Sequence, residues 1–250
     1  VELFKVGDRV THASMPIGAY SEKQIMPEEK LVYVPDGVSD EVASCITLKG
    51  ITAEYLLHRA YPLKKGDKVL YHAAAGALGQ ILCPWANALG AEVIGTVGSK
   101  AKEEIAKKNG CHHVINYSEK DFVKEVEKIF GKNSLDVVYD GVGSKTFKGS
   151  IETLKIRGMM VAFGNASGYV ETLDIKKDIN AKGLFFTRPS IAHYTVKREE
   201  LVESAKKVFD AVLTKKFKIE ISKKYPLKDA AQAHKDLENR LLTGPAVIIP

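Results

Sequence analysis

The residues with the most legible chemistry form a short run of small side chains, Ala73-Ala74-Ala75-Gly76-Ala77-Leu78-Gly79. A turn that cradles a pyrophosphate needs small residues at three places: a tight bend, a close approach of backbone to phosphate, and the packing of the next helix on the preceding strand. Ala74, Gly76 and Gly79 fill those places. With alanine at the first of them, the string alone is a weak glycine fingerprint. Its context strengthens it, since the apolar run Lys68-Val69-Leu70-Tyr71 leads straight into the turn and a helical pattern starts at its end. Backbone N–H groups at the positive end of that helix would then face phosphates. The bland alternative is an ordinary strand-to-helix turn.

The end of the next strand decides which dinucleotide such a turn would serve. Binding of NAD calls for Asp or Glu roughly 20 residues beyond the turn, where it holds the ribose 2′-hydroxyl. This chain instead reads Gly95-Thr96-Val97-Gly98-Ser99-Lys100-Ala101-Lys102. No carboxylate stands there to repel a 2′-phosphate, and a hydroxyl and two lysines are available to bind one. NADPH is the expected cofactor. A lysine in the first turn of a helix opposes the helix dipole, which argues against Lys100 and Lys102 being merely solvated. Tyr117, after the third strand, either bonds the 2′-phosphate or caps the sheet.

Two further runs, Asp140-Gly141-Val142-Gly143 and Phe163-Gly164-Asn165, put small residues at strand ends. Ligands bind at the carboxyl edge of open α/β sheets, so together these runs outline one crevice.

The elements that must position these residues follow from periodicity. Strands are expected at Lys68–Tyr71, Glu92–Thr96, His113–Asn116 and Asp136–Tyr139, with a fifth at Met159–Phe163 and a sixth at Gly183–Thr187 near the sheet edge. Amphipathic segments lie between them, as in the stripe Leu78, Ile81, Leu82, Trp85 and Leu89. This alternation predicts an α/β fold, a Rossmann doubly wound parallel sheet. Before about Pro35 the runs Asp8-Arg9-Val10 and Lys30–Val34, broken by prolines and Gly18, read as barrel-like β structure. After the sheet come a helix from Arg198 to Leu213, an extended run Ile219–Tyr225, a helix from Asp229 and a strand Ala246–Ile249. No internal repeat or low-complexity tract is present.

Composition sets outer limits. At 45% hydrophobic and 27% charged residues, the 250-residue chain can bury a sizeable core. No apolar run reaches the roughly 20 residues of a membrane span. Cys45, Cys83 and Cys111 are odd in number and lack C-x-x-C spacing, so they read as reduced thiols of a cytoplasmic protein. The formal charge of +6 arises from scattered lysine pairs, which suit a solvated surface better than a nucleic-acid footprint. The start at Val1 resembles neither a secretory signal nor a transit peptide, and without Met it suggests a longer protein.

Several runs then resemble one family: Phe4–Val10, Leu48-Lys49-Gly50-Ile51-Thr52-Ala53, His72–Gly76, Val137–Asp140, Phe163–Gly168 and Thr187-Arg188-Pro189. They are similar to the zinc-free quinone oxidoreductases, which with zeta-crystallin belong to the medium-chain dehydrogenase/reductase superfamily. The resemblance implies a Rossmann NADPH-binding domain over 45–189 and a GroES-like catalytic domain over 1–44 and 190–250. By analogy the latter lacks about 75 residues at its start, half a typical domain. It implies Thr52 near the nicotinamide or its ribose, and Ala75, Gly76, Ala77 and Leu78 at the pyrophosphate. Gly98, Ser99, Lys102 and Tyr117 would hold the adenosine end. Gly141, Phe163, Gly164, Phe186 and Arg188 would line the nicotinamide crevice, with Arg240 a weaker candidate. The family's G-G-V-G turn reads Gly76-Ala77-Leu78-Gly79 here, and the methyl of Ala77 could crowd a phosphate.

Zinc-dependent relatives carry a cysteine-rich lobe and a ligand Cys where this chain has Leu48. With Cys45 three residues away and no ligand spacing among the seven histidines, no metal is expected and the histidines read as surface or packing residues. The expected activity is zinc-free transfer of reducing equivalents from NADPH to a quinone or other conjugated carbonyl, in a homodimer paired through the Gly183–Thr187 strand. The alternative is a crystallin-like or RNA-binding protein that holds NADPH with little catalysis.

Overall fold

The computed structural model describes residues 1–13, 16–239 and 241–250. They form two compact units, one of Tyr55–Ser190 and one of Val1–Glu54 with Ile191–Pro250. The first division falls ten residues beyond the 44/45 boundary read from the sequence, because Cys45 lies inside a continuous helix, Asp40–Tyr55, whose first fifteen residues pack as one body.

In the smaller unit, β1 (Val10–Thr11) pairs antiparallel with β2 (Val32–Tyr33), and the helix Asp40–Tyr55 is α1. The larger unit opens with a π-helical turn at Leu56–Ala60 and then alternates strictly. It runs β3 (Lys68–His72), α2 (Gly79–Ala88), β4 (Glu92–Val97), α3 (Lys100–Lys108), β5 (His113–Asn116) and α4 (Phe122–Phe130). It continues with β6 (Leu135–Asp140), α5 (Phe147–Thr153), β7 (Leu154–Ala162), a second π-helical turn at Ile175–Asn180 and β8 (Phe185–Thr187). The smaller unit resumes with α6 (Ile191–Tyr194), α7 (Arg198–Leu213), β9 (Lys223–Pro226), α8 (Ala230–Glu238) and β10 (Ala246–Ile249).

The six strands β3 to β8 make one sheet in the order β5-β4-β3-β6-β7-β8, with every neighbouring pair parallel. Strand order therefore reverses between β3 and β6, the switch point at which a crevice opens beyond the carboxyl ends. Helices cover both faces, so the central strands are apolar throughout. All six positions of β6 are buried, and Val69 and Leu70 of β3 are fully so. Leu70, Ile94, Val138 and Met160 pack on one face with Phe147 and Ile151 of α5 and Val126 of α4.

In the smaller unit the sites of closest contact are equally specific. A Cβ on Gly50 of α1 would lie 2.4 Å from Cγ1 of Val208, so only glycine lets α1 and α7 approach there. One turn on, the buried Glu54 carboxylate accepts from Ser204 Oγ at 2.5 Å and Lys207 Nζ at 3.3 Å. β9 and α8 are joined through Asp236, which accepts from Lys223 Nζ, Tyr225 Oη and Gln232 Nε2 at 2.7, 2.5 and 2.7 Å. Those donors, Lys223 first, hold its carboxyl at about 2.

Candidate functional site

At the carboxyl end of β3 the chain turns through Ala73, whose φ of 62° is left-handed and unusual for a non-glycine residue. The tight bend is thus made at Ala73, one residue before the Ala74 assigned from the motif. Ala74 instead ties the turn to β4, its N–H donating to the Thr96 carbonyl at 2.9 Å. Gly79 packs the helix on the turn, since a Cβ there would lie 2.3 Å from the Ala74 carbonyl oxygen. Gly76 N–H closes on the Ala73 carbonyl at 2.9 Å, and Gln80 Nε2 holds the Ala75 carbonyl at 3.1 Å. The N–H groups of Ala77 and Leu78 make no hydrogen bond among the described residues, and the first turn of α2 carries no acidic residue. Two free donors at a positive helix end form an anion cradle, and it fits a pyrophosphate.

Beyond β4, Gly98 lies under the Tyr117 ring, because a Cβ at 98 would sit 2.6 Å from the phenolic oxygen. Ser99 is the N-cap of α3, yet its side chain makes no capping bond and its hydroxyl remains available. Lys100 and Lys102 occupy the first turn without a carboxylate partner among the described residues. The one acid of that turn, Glu103, accepts from Asn116 Nδ2 at 3.2 Å. The Ser99 hydroxyl and the ammonium groups of Lys100 and Lys102 thus follow β4, with the Tyr117 phenol over Gly98, and such donors suit a phosphomonoester.

The loops after β6 and β7 clasp each other. Ser167 N–H donates to Val142 O at 2.7 Å and Ser144 N–H to Gly168 O at 3.1 Å. This closeness demands glycine, as a Cβ on Gly164 would meet Gly141 O at 2.4 Å and one on Gly143 would meet Gly168 O at 2.5 Å. Phe163 stacks on Tyr71 with ring centroids 6.2 Å apart, and its ring tip closes over Gly141. On the outer strand Phe186 meets Phe147 edge-on at 6.0 Å. Pairing of Val161 with Thr187 brings Arg188 to the same carboxyl edge, where its guanidinium donates a long 3.4 Å bond to Pro189 O.

Ala75 to Leu78, Gly98, Ser99, Lys102, Tyr117, Gly141, Phe163, Gly164, Phe186 and Arg188 thus share one edge of one sheet. Thr52 lies in the other unit, where its hydroxyl donates to Leu48 O at 2.9 Å within α1. Arg240 lies outside the described residues.

Sequence reasoning missed a buried polar cluster behind the edge. His72, read as a surface or packing residue, is 1% exposed and is bonded at both nitrogens, to Thr96 Oγ1 and Ser150 Oγ, each at 2.9 Å. Burial pushes its imidazole below the usual range, opposed by the Asp140 charge 4.0 Å away. A histidine in a strand directly before a glycine turn was the available signal. Its partners, 24 and 78 residues away, left none.

The cysteines are buried and free. A hydrogen bond with Cys111, and then burial, push the Cys83 thiol well above its usual range, which makes it unreactive. Among the described residues no three His, Cys, Asp or Glu side chains are grouped to hold a metal, and no helix is long and apolar enough to cross a membrane.

Fold and site define a dinucleotide-binding α/β protein, and comparison with known proteins narrows the class. A family model described as zinc-binding dehydrogenase matches residues 77–213. The 2-haloacrylate reductase of Burkholderia sp is 45% identical over 250 residues, covering 99% of this chain and 75% of the relative. Quinone oxidoreductase 1 of Escherichia coli (strain K12) is 43% identical over 253 residues, covering 100% and 77%. A crystal structure of Escherichia coli quinone oxidoreductase complexed with NADPH superposes with a TM-score of 0.96 at 42% identity, over 100% of this chain and 77% of that one. The chain spans about three-quarters of the length of these relatives. It belongs to the quinone oxidoreductase family of the medium-chain dehydrogenase/reductase superfamily, with a Rossmann sheet and part of a GroES-like domain.

Proposed function

We propose that this chain is an NADPH-dependent reductase that passes reducing equivalents to a quinone or another conjugated carbonyl without zinc. The observation that carries this reading is the run Gly98, Ser99 and Lys102 after β4, with Tyr117 over Gly98 and no carboxylate partner for Lys102 among the described residues, together with the free N–H groups of Ala77 and Leu78. When bound, NADPH supplies hydride from nicotinamide C4. The protein's part is orientation: the turn fixes the pyrophosphate, Lys102 and Ser99 the 2′-phosphate, and the Gly141, Phe163 and Gly164 clasp offers a flat apolar wall to the nicotinamide end. Phe186, Arg188, Thr52 and Arg240 complete the proposed cofactor contacts.

The named activities of the relatives share one acceptor chemistry. A quinone and a 2-haloacrylate both present an electron-poor C=C bond conjugated to a carbonyl. NADPH oxidation should therefore be assayed with ortho- and para-quinones and with 2-chloroacrylate, and turnover of none of them removes the reading. The 2′-phosphate assignment has its own test. Replacing Lys102 with Glu should raise the KM for NADPH about tenfold or more, about 1.4 kcal/mol, and leave that for NADH nearly unchanged. Equal changes for the two cofactors remove the assignment.

The proposal extends to a homodimer joined through β8, whose outer edge is unpaired within the sheet. It places the protein in the cytoplasm, in keeping with three free, buried thiols.

A further inference from the structure

The three loops of the cofactor site leave three different strands, and a line of buried side chains joins the ends of those strands. Asp140, the last residue of β6 and 1% exposed, accepts from Val142 and Gly143 N–H on Oδ1, at 2.8 and 2.9 Å. Its Oδ2 accepts from the hydroxyls of Thr146 and Ser150, at 2.8 and 3.0 Å. A carboxylate only accepts, so the single hydroxyl proton of Ser150 points at Asp140. Ser150 Oγ must then accept from His72 Nε2, 2.9 Å away, which places the ring proton on Nε2. His72 Nδ1 is left as an acceptor, and Thr96 Oγ1 at 2.9 Å donates to it. The donors and acceptors close in one order: Thr96 to His72, His72 to Ser150, Ser150 to Asp140.

Each end of this file acts on a loop of the site. His72 precedes the left-handed Ala73, the Thr96 carbonyl holds Ala74 N–H, and Asp140 holds the backbone of the Gly141 to Gly143 clasp. The Phe122 ring packs edge-on against His72 at 5.0 Å, and Asp140, 4.0 Å from Nε2, is the one charge acting on the imidazole among the described residues. None of the four side chains is among the proposed cofactor contacts.

We propose that His72, as the neutral Nε2–H tautomer within this hydrogen-bonded file, is a positioning residue that sets affinity for the dinucleotide rather than the rate of the chemical step. The inference rests on the dinucleotide reading above. Because the file acts on the turn and clasp common to both cofactors, its loss should weaken NADPH and NADH alike, unlike loss of Lys102.

The test compares the parent with Thr96→Val, Thr96→Ser and His72→Phe, reading dissociation constants for both cofactors by nicotinamide fluorescence and separating KM from kcat. Thr96→Val and His72→Phe should raise both dissociation constants about tenfold with kcat within about twofold, and Thr96→Ser should restore the parent values. Should His72→Phe fail to fold, the near-isosteric Thr96→Val and its serine rescue decide the matter. A folded Thr96→Val protein with parental affinities overturns the proposal, as does a fall in kcat with KM unchanged. The ring nitrogen shifts of His72 in the parent report the tautomer without any ligand, and an Nδ1–H or doubly protonated ring at neutral pH also overturns it. A parent that binds neither cofactor defeats the dinucleotide reading itself, which these shifts distinguish from failure of the file.

Discussion

Ala73 shows how much a single backbone angle can ask of a residue. A left-handed alanine costs roughly 1–2 kcal/mol relative to its preferred basin, and Ala73 is exposed, so its methyl returns little packing energy. Glycine would remove that strain but lose more chain entropy on folding, which offsets about 0.4–1 kcal/mol. Ala73→Gly should therefore stabilise the protein by about 0.5 kcal/mol, seen as a higher urea midpoint at unchanged slope. A lower midpoint would mean that the Ala73 methyl packs more favourably than its exposure implies. At this scale the proposed contacts of Ser99, Lys102 and Tyr117 rest on a local signal, a missing carboxylate at a known offset from the turn. Asp140 was visible only as a strand-end residue, and its role depends on hydroxyls brought to it by the crossover helix α5.

Elements were legible in proportion to how far burial dictates their composition. The strands β3 to β6 fall where apolar runs put them, because both faces of a parallel sheet are covered and leave no room for polar alternation. The α7 helix matches its sequence-derived limits, Arg198 to Leu213. β7 begins at Leu154 rather than Met159. Its first half carries the exposed Ile156 and a left-handed Arg157 beside a register shift, so it lacks a strand pattern. β9 is confined to Lys223–Pro226, short of the run expected from Ile219, since only that part pairs with β10. The π-helical turns at Leu56–Ala60 and Ile175–Asn180 have no sequence marker. β8 tests the dimer proposal at this scale. Phe185 and Phe186 are 58% and 39% exposed on a strand with one unpaired edge, a combination that invites strand pairing. Size exclusion should find the parent as a dimer and Phe185→Lys as a monomer, because a charge in place of an exposed apolar side chain on an edge strand opposes pairing with a second copy. A monomeric parent, or a variant that stays dimeric, defeats the proposal.

For the whole molecule, the two compact units give the proposed cofactor an uneven reach. Every located candidate contact except Thr52 lies within Tyr55–Ser190, so NADPH binding should appear mainly as resistance of that unit to unfolding. At a concentration of about 100 times the dissociation constant, a ligand specific for the folded state adds about 2.7 kcal/mol. For a chain of this size each kcal/mol moves the midpoint by about 2–4 °C, so a rise of roughly 5–10 °C is expected by calorimetry. If the units melt separately, one transition should move and the other stay. NADH at the same concentration should move it less, because Lys100 and Lys102 have no 2′-phosphate to meet. The difference between the cofactors should also shrink as salt is added, since both lysines face solvent-accessible space and are screened over about 10 Å at 0.1 M ionic strength. A shift that is equal for NADPH and NADH and indifferent to salt would show that the dinucleotide is held by the turn alone, with the Gly98 to Lys102 segment taking no part.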